Sequence, residues 1–477
     1  MPELTGRRRR AVLATACLAV FAIDLDITIV NVALPTLSRQ LGAGTSTLQW
    51  VVDGYSLAFA TLVLTGGSLG DRFGRRPALL AGLLGFAAAS ALAGLTHDAG
   101  TLVVLRFVMG IFDALVYPTT LSVITSAYPD RAERTRAIGV WGAVAGLGVA
   151  VGPVTGGLLL AHFWYGSVFW ALVPAALVAA AATAAIVPES RQPGAARIDL
   201  PGLLTSGAAI GLLVYTVIEA PGRGWGAAPS IAGFAGAAVL GTAFVVVERR
   251  TAAPMLDVTL FRVPAFAAAS GSVTIAFFAL FGFIFLVTQY FQFIRGYSPL
   301  AAGVRILPVA VAIAAGSEAG ASLAARIGTR VIVTGGQLLF ALAFGWIAVS
   351  PAAEPYPRIV AQMVLLGLAL GLVSTPATES ILSVLPPARA GTGSAVNDAT
   401  REAGGTLGVA VIGSVFSSIY RHKLATATMT ASFMAGLHAA CVVAALVCLG
   451  GAVTALRLPG RAPREVVGGA GTRDRSL

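Results

Sequence analysis

Lysine is nearly missing from this 477-residue chain: of its 32 basic side chains, only Lys423 is not arginine. A phosphate loop of the G-x-x-x-x-G-K-[ST] kind needs a lysine beside the phosphates, and Lys423 stands in "YRHKLAT", so direct use of ATP is excluded. Charge of either sign is also scarce, at 11% of residues against about a quarter in soluble domains, while 57% are hydrophobic. The three cysteines, Cys17, Cys441 and Cys448, all lie within apolar runs, which supports neither a disulfide framework nor a thiolate metal site. His97, His162, His422 and His438 lack ligand spacing, so no metal is expected. The net charge of +11 does not point to nucleic acid, because the arginines form short clusters between apolar runs rather than one basic domain. No polar stretch exceeds about 25 residues, so there is no room for a nucleotide-binding domain and no enzymatic site is expected.

What fills the chain instead is hydrophobic runs of membrane length. About 30 Å of hydrocarbon crossed at 1.5 Å per residue takes about 20 apolar residues. That ruler places spans near 11–37, 48–69, 77–96, 100–124, 136–160, 166–187, 200–220, 228–247, 264–293, 299–323, 330–350, 358–384, 391–419 and 431–456. The expected fold is therefore an all-α integral membrane protein with fourteen transmembrane helices. Arg7 to Arg10 followed by an apolar stretch imitates a secretory leader, but the stretch runs well beyond the 7 to 15 residues of such a leader and is read as an uncleaved first span.

Basic residues accumulate in cytoplasmic loops. With the N-terminus inside, only six basic residues (Arg39, Arg223, Arg295, Arg358, Arg421 and Lys423) face outward and three (Arg106, Arg305 and Arg401) fall within spans. All the others lie on the inner side, so both termini are expected in the cytoplasm.

Between spans 2 and 3 the chain reads "GGSLGDRFGRR" (66–76), and between spans 10 and 11 it reads "GASLAARIGTR" (320–330), at an offset of 254. Leu323 matches Leu69, Arg326 matches Arg72, Gly328 matches Gly74 and Arg330 matches Arg76, while Ala325 replaces Asp71. An offset of eight spans implies two six-helix halves separated by an inserted pair. The expected divisions are 1–190, 191–255, 256–460 and a tail at 461–477. Parallel six-helix repeats are a transporter arrangement, with the substrate path between them.

These motifs carry a resemblance. The loop containing Gly67, Asp71, Arg72, Gly74, Arg75 and Arg76 resembles the G-x-L-A-D-R-x-G-R-[RK] signature of the major facilitator superfamily, departing from it at Gly70. "LDITIVNVALP" (25–35) resembles the first-span signature of its fourteen-helix drug:proton antiporters, the EmrB/QacA type. "GLGVAVGPVTGG" (146–157) resembles their antiporter motif, and "GSAVNDATREAGGTLGVAVIGSVF" (393–416) their penultimate-helix pattern.

Physical chemistry gives these residues candidate roles. A carboxylate in mid-span is costly unless it meets water or a partner. Asp24 and Asp26 lie about 200° apart around a helix, so they cannot line one wall. The resembled motif places its acid at Asp26, implying exchange of a proton there, against the alternative of a structural acid paired to a neighbouring helix. Asp53 stands near the outer end of span 2, where it could attract cations or be merely interfacial. Arg106 and Asp113, seven residues apart, share one face of span 4; the resemblance implies that Arg106 takes part in proton coupling, and the alternative is an Arg106–Asp113 pairing. Gly148, Gly152, Gly156 and Gly157, with Gly142, Gly146 and Pro153, leave a strip of span 5 almost free of side chains. That strip is expected to let span 10 approach closely, and in the resembled family it seals one side of the cavity. Asn31, Gln289, Gln292, Asn397 and Arg401 are candidate cavity residues, beside an aromatic set in span 9 (277–293). Glu219, Glu318, Glu379, Asp398 and Glu402 lie toward span ends; Asp398 is expected to pair with Arg401.

The resulting expectation is a monomeric, proton-driven exporter without a cofactor in a bacterial cytoplasmic membrane. Its cargo would be an amphipathic, cationic drug or an antibiotic. A nutrient symporter is disfavoured by the span 5 strip, and a non-transporting sensor would leave the intramembrane charges without a purpose.

Overall fold

The computed structural model describes residues 5–190, 199–251, 254–384 and 390–460. The division expected at 190/191 and the tail at 461–477 lie outside them. Fourteen helices are long and apolar enough to cross a membrane. They are α1 (Gly6–Leu41), α2 (Thr45–Phe73), α3 (Arg75–Leu95), α4 (Ala99–Ala127) and α5 (Arg131–His162). Next come α6 (Ser167–Ile186), α7 (Leu200–Arg223), α8 (Ala228–Arg250), α9 (Pro264–Ile294) and α10 (Pro299–Ile327). The series ends with α11 (Thr329–Ile347), α12 (Tyr356–Ser383), α13 (Ala390–Leu424) and α14 (Met429–Ala455).

Each expected span corresponds to one helix. Several run past the apolar core, α1 by a full turn at each end, because polar residues at water level continue a helix without cost. Short side chains start the helices where the sequence offers them. Asp98 accepts the Thr101 backbone N–H at 2.6 Å, Asp130 that of Glu133 at 2.9 Å, and Ser298 that of Ala301 at 3.2 Å, each satisfying a donor that the first turn leaves open.

The packing repeats with a shift of eight helices. The pairs α2/α4, α1/α5, α3/α4, α3/α6, α1/α4 and α1/α6 have counterparts in α10/α12, α9/α13, α11/α12, α11/α14, α9/α12 and α9/α14. The two most extensive contacts that cross between these sets, α2/α13 and α5/α10, are themselves related by the same shift, and α1 also touches α9 and α10. The two repeat loops share geometry as well. Gly74 (φ +114°) separates α2 from α3 and Gly328 (φ +96°) separates α10 from α11, a backbone region open to glycine at little cost. In each, the glycine N–H bonds back to a helix carbonyl, Gly70 or Ala324, themselves 254 apart. Helices α7 and α8 pack on one another, and α7 also touches α2 and α13; α8 is the least buried helix of the fourteen.

Candidate functional site

Asp26 and Arg106 meet at the centre of the α1/α2/α4 packing. The Arg106 Nη1 lies 2.5 Å from Asp26 Oδ2, and neither side chain is more than 2% exposed. The guanidinium is fixed further: its Nε donates to the Val51 carbonyl at 2.8 Å, and its carbon stands 4.4 Å from the centre of the Tyr55 ring. The Tyr55 hydroxyl donates in turn to Asp113 Oδ2. The Arg106–Asp113 pairing that the sequence allowed does not form, because Tyr55 reaches across from α2 and takes Asp113 while Asp26 takes the arginine. Asp26 therefore meets a partner rather than water in this arrangement. Tyr55 was not visible as a site residue; the only sequence signal is a tyrosine two positions after an intramembrane acid.

A buried pair of this kind is held in place rather than strongly stabilising. Desolvating two charges costs several kcal/mol per ion, which mutual attraction offsets, while removing one partner strands the other. Asp26 Oδ1 and Asp113 Oδ1 remain buried without a hydrogen bond among the described residues.

Asp53 is fully buried, with neither carboxylate oxygen hydrogen-bonded among the described residues, so it is not the interfacial acid that its place in span 2 allowed. One turn earlier on the same face, Gln49 donates its amide to the Val409 carbonyl (3.2 Å), the Ala410 carbonyl (3.0 Å) and Ser414 Oγ (3.2 Å) of α13. Gly413 provides the space for it: a Cβ there would stand 2.7 Å from Gln49 Nε2.

A second charged group lies between the two sets of helices. Asp398, Arg401 and Glu402 on α13 are within electrostatic range of Asp24 on α1 and Tyr117 on α4. Arg401 approaches Asp398 Oδ1 at 3.8 Å, as expected, and stacks over Phe277 of α9 with its guanidinium carbon 4.5 Å from the ring centre. Asp24 is buried with Oδ2 unpartnered among the described residues. Asp24 and Asp26 face different neighbours, as their angular separation requires. Asn397 accepts from Thr378 at 2.9 Å.

The remaining cavity candidates are engaged in packing. Asn31 donates to the Ile27 carbonyl and Gln289 to the Phe285 carbonyl, both on their own helices. Gln292 instead crosses from α9 to the Val32 carbonyl of α1 at 2.9 Å. Most aromatics of α9 are buried in the core. A cavity of about 240 Å³ lies elsewhere, between α7 and α8, lined by Leu212, Tyr215, Glu219, Arg223 and Ser230, and holds none of the predicted site residues. Glu219 stands 3.9 Å from Arg223 there.

The glycine strip of α5 serves two neighbours rather than one. Gly148, Gly152 and Gly156 lie against α1, where a Cβ would meet Phe21, Thr28 or Ile29, and the Thr28 hydroxyl donates to the Val149 carbonyl at 2.9 Å. Only the end of the strip approaches α10: a Cβ on Gly157 would stand 2.5 Å from Leu300 Cα, and one on Gly303 would stand 2.6 Å from the Pro153 carbonyl carbon. Gly142 and Gly146 have no neighbour within 4 Å at that position. The strip curves around α5, so its successive glycines point to different helices. These crossings between the halves, the Gln49 and Gln292 side-chain bonds and the close approaches Gly157–Leu300 and Pro153–Gly303, lie away from the Asp71 loop, at the end where α2 and α10 begin; this end is closed.

At the opposite end, Asp71 Oδ1 binds Arg75 across the helix break, at 2.8 Å to Nε and 2.7 Å to Nη2. Arg75 continues to the Ser122 carbonyl at 3.2 Å and to Ser126 Oγ, both on α4, and Arg76 reaches the Ala184 carbonyl of α6. Gly67 and Gly70 let α2 press on Pro118 and Thr119 of α4. Arg72 is exposed and stacks on Phe73 at 5.5 Å. In the second copy Arg330, the counterpart of Arg76, donates to the Leu458 carbonyl at 2.8 Å, but Ala325 and Thr329 stand where Asp71 and Arg75 would be, so the acid–arginine clamp is missing there.

Residues 16–409 match the family model described as Major Facilitator Superfamily. The Multidrug resistance protein Stp of Mycobacterium tuberculosis is 37% identical over 413 residues, covering 87% of this chain and 77% of the relative. The Multidrug efflux pump LfrA of Mycolicibacterium smegmatis is 36% identical over 425 residues, covering 89% and 84%. The Tetracenomycin C resistance and export protein of Streptomyces glaucescens is 34% identical over 417 residues, covering 87% and 77%. Among solved structures, a bacterial homologue of the human lysosomal transporter Spinster, inward-facing and unoccupied, superposes with a TM-score of 0.67 at 15% identity, covering 95% of this chain and 97% of that one. The POT family transporter PepTSo superposes with a TM-score of 0.68 at 16% identity, covering 95% and 99%; at such identities these structures speak for the fold alone. Fourteen apolar helices, packing that repeats every eight helices, a buried acid–arginine pair and these matches lead to one assignment: the chain belongs to the major facilitator superfamily.

Proposed function

We propose that this protein is a proton-driven exporter of amphipathic, cationic drugs or of an antibiotic, working as an antiporter of the EmrB/QacA type in a bacterial cytoplasmic membrane. The relatives' names, a multidrug resistance protein, a multidrug efflux pump and a resistance and export protein, support export of toxic compounds. The single observation that carries the coupling is the Asp26–Arg106 pair, both members buried to within 2% of completely. A charge pair so deep can be released cheaply only by removing a charge, and a proton on Asp26 does that.

In this reading the 6 + 2 + 6 division holds, with the halves at 1–190 and 256–460 rocking about the paths between them. The basic loops and both termini face the cytoplasm, so the closed end is the outer one and cargo enters from inside. Asp26, Asp53, Arg106 and Asp113 carry the proton side of the cycle, and the Asp71 loop latches the inner face. Proton arrival and cargo binding compete through charge, each favouring one arrangement of the halves. The protein works as a monomer and needs no cofactor, the proton gradient being its energy source.

Asp26→Asn tests this. In a pump-deleted host it should abolish resistance at unchanged expression. In everted vesicles, adding ethidium should release protons from energised wild-type membranes and not from the variant. A variant that exports fully, or vesicles in which the drug moves no protons, would overturn the assignment.

A further inference from the structure

Three arginines lie within the spans, and their surroundings differ. Arg106 is locked by a carboxylate, a carbonyl and a ring. Arg305, near the closed end, donates to the Ala301 carbonyl at 3.1 Å and stacks with Tyr297 and Tyr356. Arg401 differs from both. It makes no hydrogen bond among the described residues, its contact with Asp398 is 3.8 Å, and its side chain is 39% exposed although it lies well inside α13. Asp24 of α1 and Tyr117 of α4, both of the other half, lie within electrostatic range of it, and Phe277 of α9 lies against it, so we read that exposed surface as the wall of the cleft between the halves rather than the lipid side.

The groups around Arg401 are those that hold a free organic cation. Phe277 offers the face of its ring, to which a cation is attracted by the ring quadrupole. Asp398 offers a carboxylate just beyond hydrogen-bonding distance. Across the cleft, Asp24 is 5% exposed and has Oδ2 unpartnered, while Glu402 follows Arg401 on α13. With Arg401 in place, the three acids are partly balanced; with it gone they are not.

We propose that Arg401 is a tethered stand-in for the cationic group of the cargo. In the empty transporter its guanidinium fills the cation subsite made by Phe277, Asp398 and Asp24, and a cationic cargo binds by displacing it. Arg401 is thus a specificity-determining residue: it sets a threshold that a weakly held monocation barely crosses, and that a planar or doubly charged cation crosses more readily. A flexible arginine suits the role, since its planar head stacks on an aromatic ring yet is weakly hydrated and can swing into the cleft. This inference rests on the proposed reading of the central cleft as the site of a cationic cargo.

Ethidium binding to purified protein in nanodiscs, followed by fluorescence polarisation, tests it. Arg401→Gln should tighten ethidium at least fivefold, while binding of neutral chloramphenicol stays within twofold of wild type. Adding Phe277→Leu to that variant should remove the gain. Arg401→Lys keeps the charge and the helix but stacks less well, so it should tighten ethidium at least twofold; it serves as the readout should the glutamine variant not fold. Unchanged or weaker ethidium binding in the folded variant would overturn the inference and leave the exporter reading intact. A wild type that binds no ethidium would overturn the reading of the cleft and the inference with it.

Discussion

Gly303→Ala places one methyl group where α5 and α10 meet. The new Cβ would fall on the Pro153 carbonyl, 2.6 Å from its carbon and 3.2 Å from the Val154 nitrogen. An ordinary carbon–oxygen contact is about 3.3 Å or more, so the two helices must part by about 1 Å. The obstacle is backbone, so no side chain can turn aside. Overpacking of this kind costs about 1–3 kcal/mol. The cost falls only on the arrangement in which this end is closed, because the contact joins helices from opposite halves. A bias of that size shifts the balance between the two arrangements by about 5- to 150-fold toward opening. Spin labels at exposed positions 97 and 427, on the α3–α4 and α13–α14 loops at this end, would read the separation. Cys17, Cys441 and Cys448 are buried, so labelling is confined to the introduced cysteines. The expected result is a larger population of long distances in Gly303→Ala and none in Gly335→Ala, whose Cβ would meet nothing within 4 Å. A folded Gly303→Ala protein with the wild-type distance distribution would refute the claim that this contact holds the end shut.

The other predictions follow from the same geometry. Tyr55→Phe leaves Asp113 without its donor and should lower stability by about 1–3 kcal/mol, read as a drop in melting temperature, with Asp113→Asn added to Tyr55→Phe recovering part of it. Asp71→Asn removes the charge from a partly exposed clamp, so the melting temperature should barely move, by less than about 1 kcal/mol equivalent, while transport rate falls; equal losses in both would show the loop to be scaffold only. Asp26→Asn and Gly303→Ala, combined in the spin-label assay, should deviate from additivity by more than about 0.5 kcal/mol; strict additivity would show that the buried pair and the closed end are independent.

Length, charge scarcity and the 254-residue repeat made the fold legible, because a bilayer imposes one period and one length on every helix. The loop at 66–76 was legible for a similar reason: a helix break with a positive-φ glycine and an i,i+4 acid–arginine clamp is local in sequence. The pairing of Arg106 was not. Asp26, Tyr55 and Asp113 come from three helices, and which acid takes the arginine depends on which side chain is long enough to bridge α2 and α4. Asp53 read as either a cation-attracting or an interfacial acid, because depth along a helix is visible in sequence and the packing that buries it is not. The α5 glycines read as one face for the same reason: six glycines and Pro153 over sixteen positions cover more than one side of a helix, and only packing shows that three of the glycines serve α1.

One helix connects the two features on which transport would depend. Along α1, Asp26 holds Arg106, and the flanking Leu25, Thr28 and Ile29 are the residues that the α5 glycines touch. Along α5, Pro153 and Gly157 sit among those glycines and touch α10 across the halves. Between these contacts there is little slack, since at Gly148, Gly152 and Gly156 the α1 backbone comes close to α5 and the Thr28 hydroxyl is bonded to the Val149 carbonyl. In the proposed cycle, a movement of α1 that followed release of the ion pair would be passed to α5, and from α5 to the contact that closes the far end. That coupling would give a purpose to the glycine strip, which lies next to the one buried carboxylate that holds a buried arginine among the described residues. Rigid contact transmits what a flexible side chain would dissipate, so under the proposed coupling a proton arriving at Asp26 would bear on a seam that it never touches.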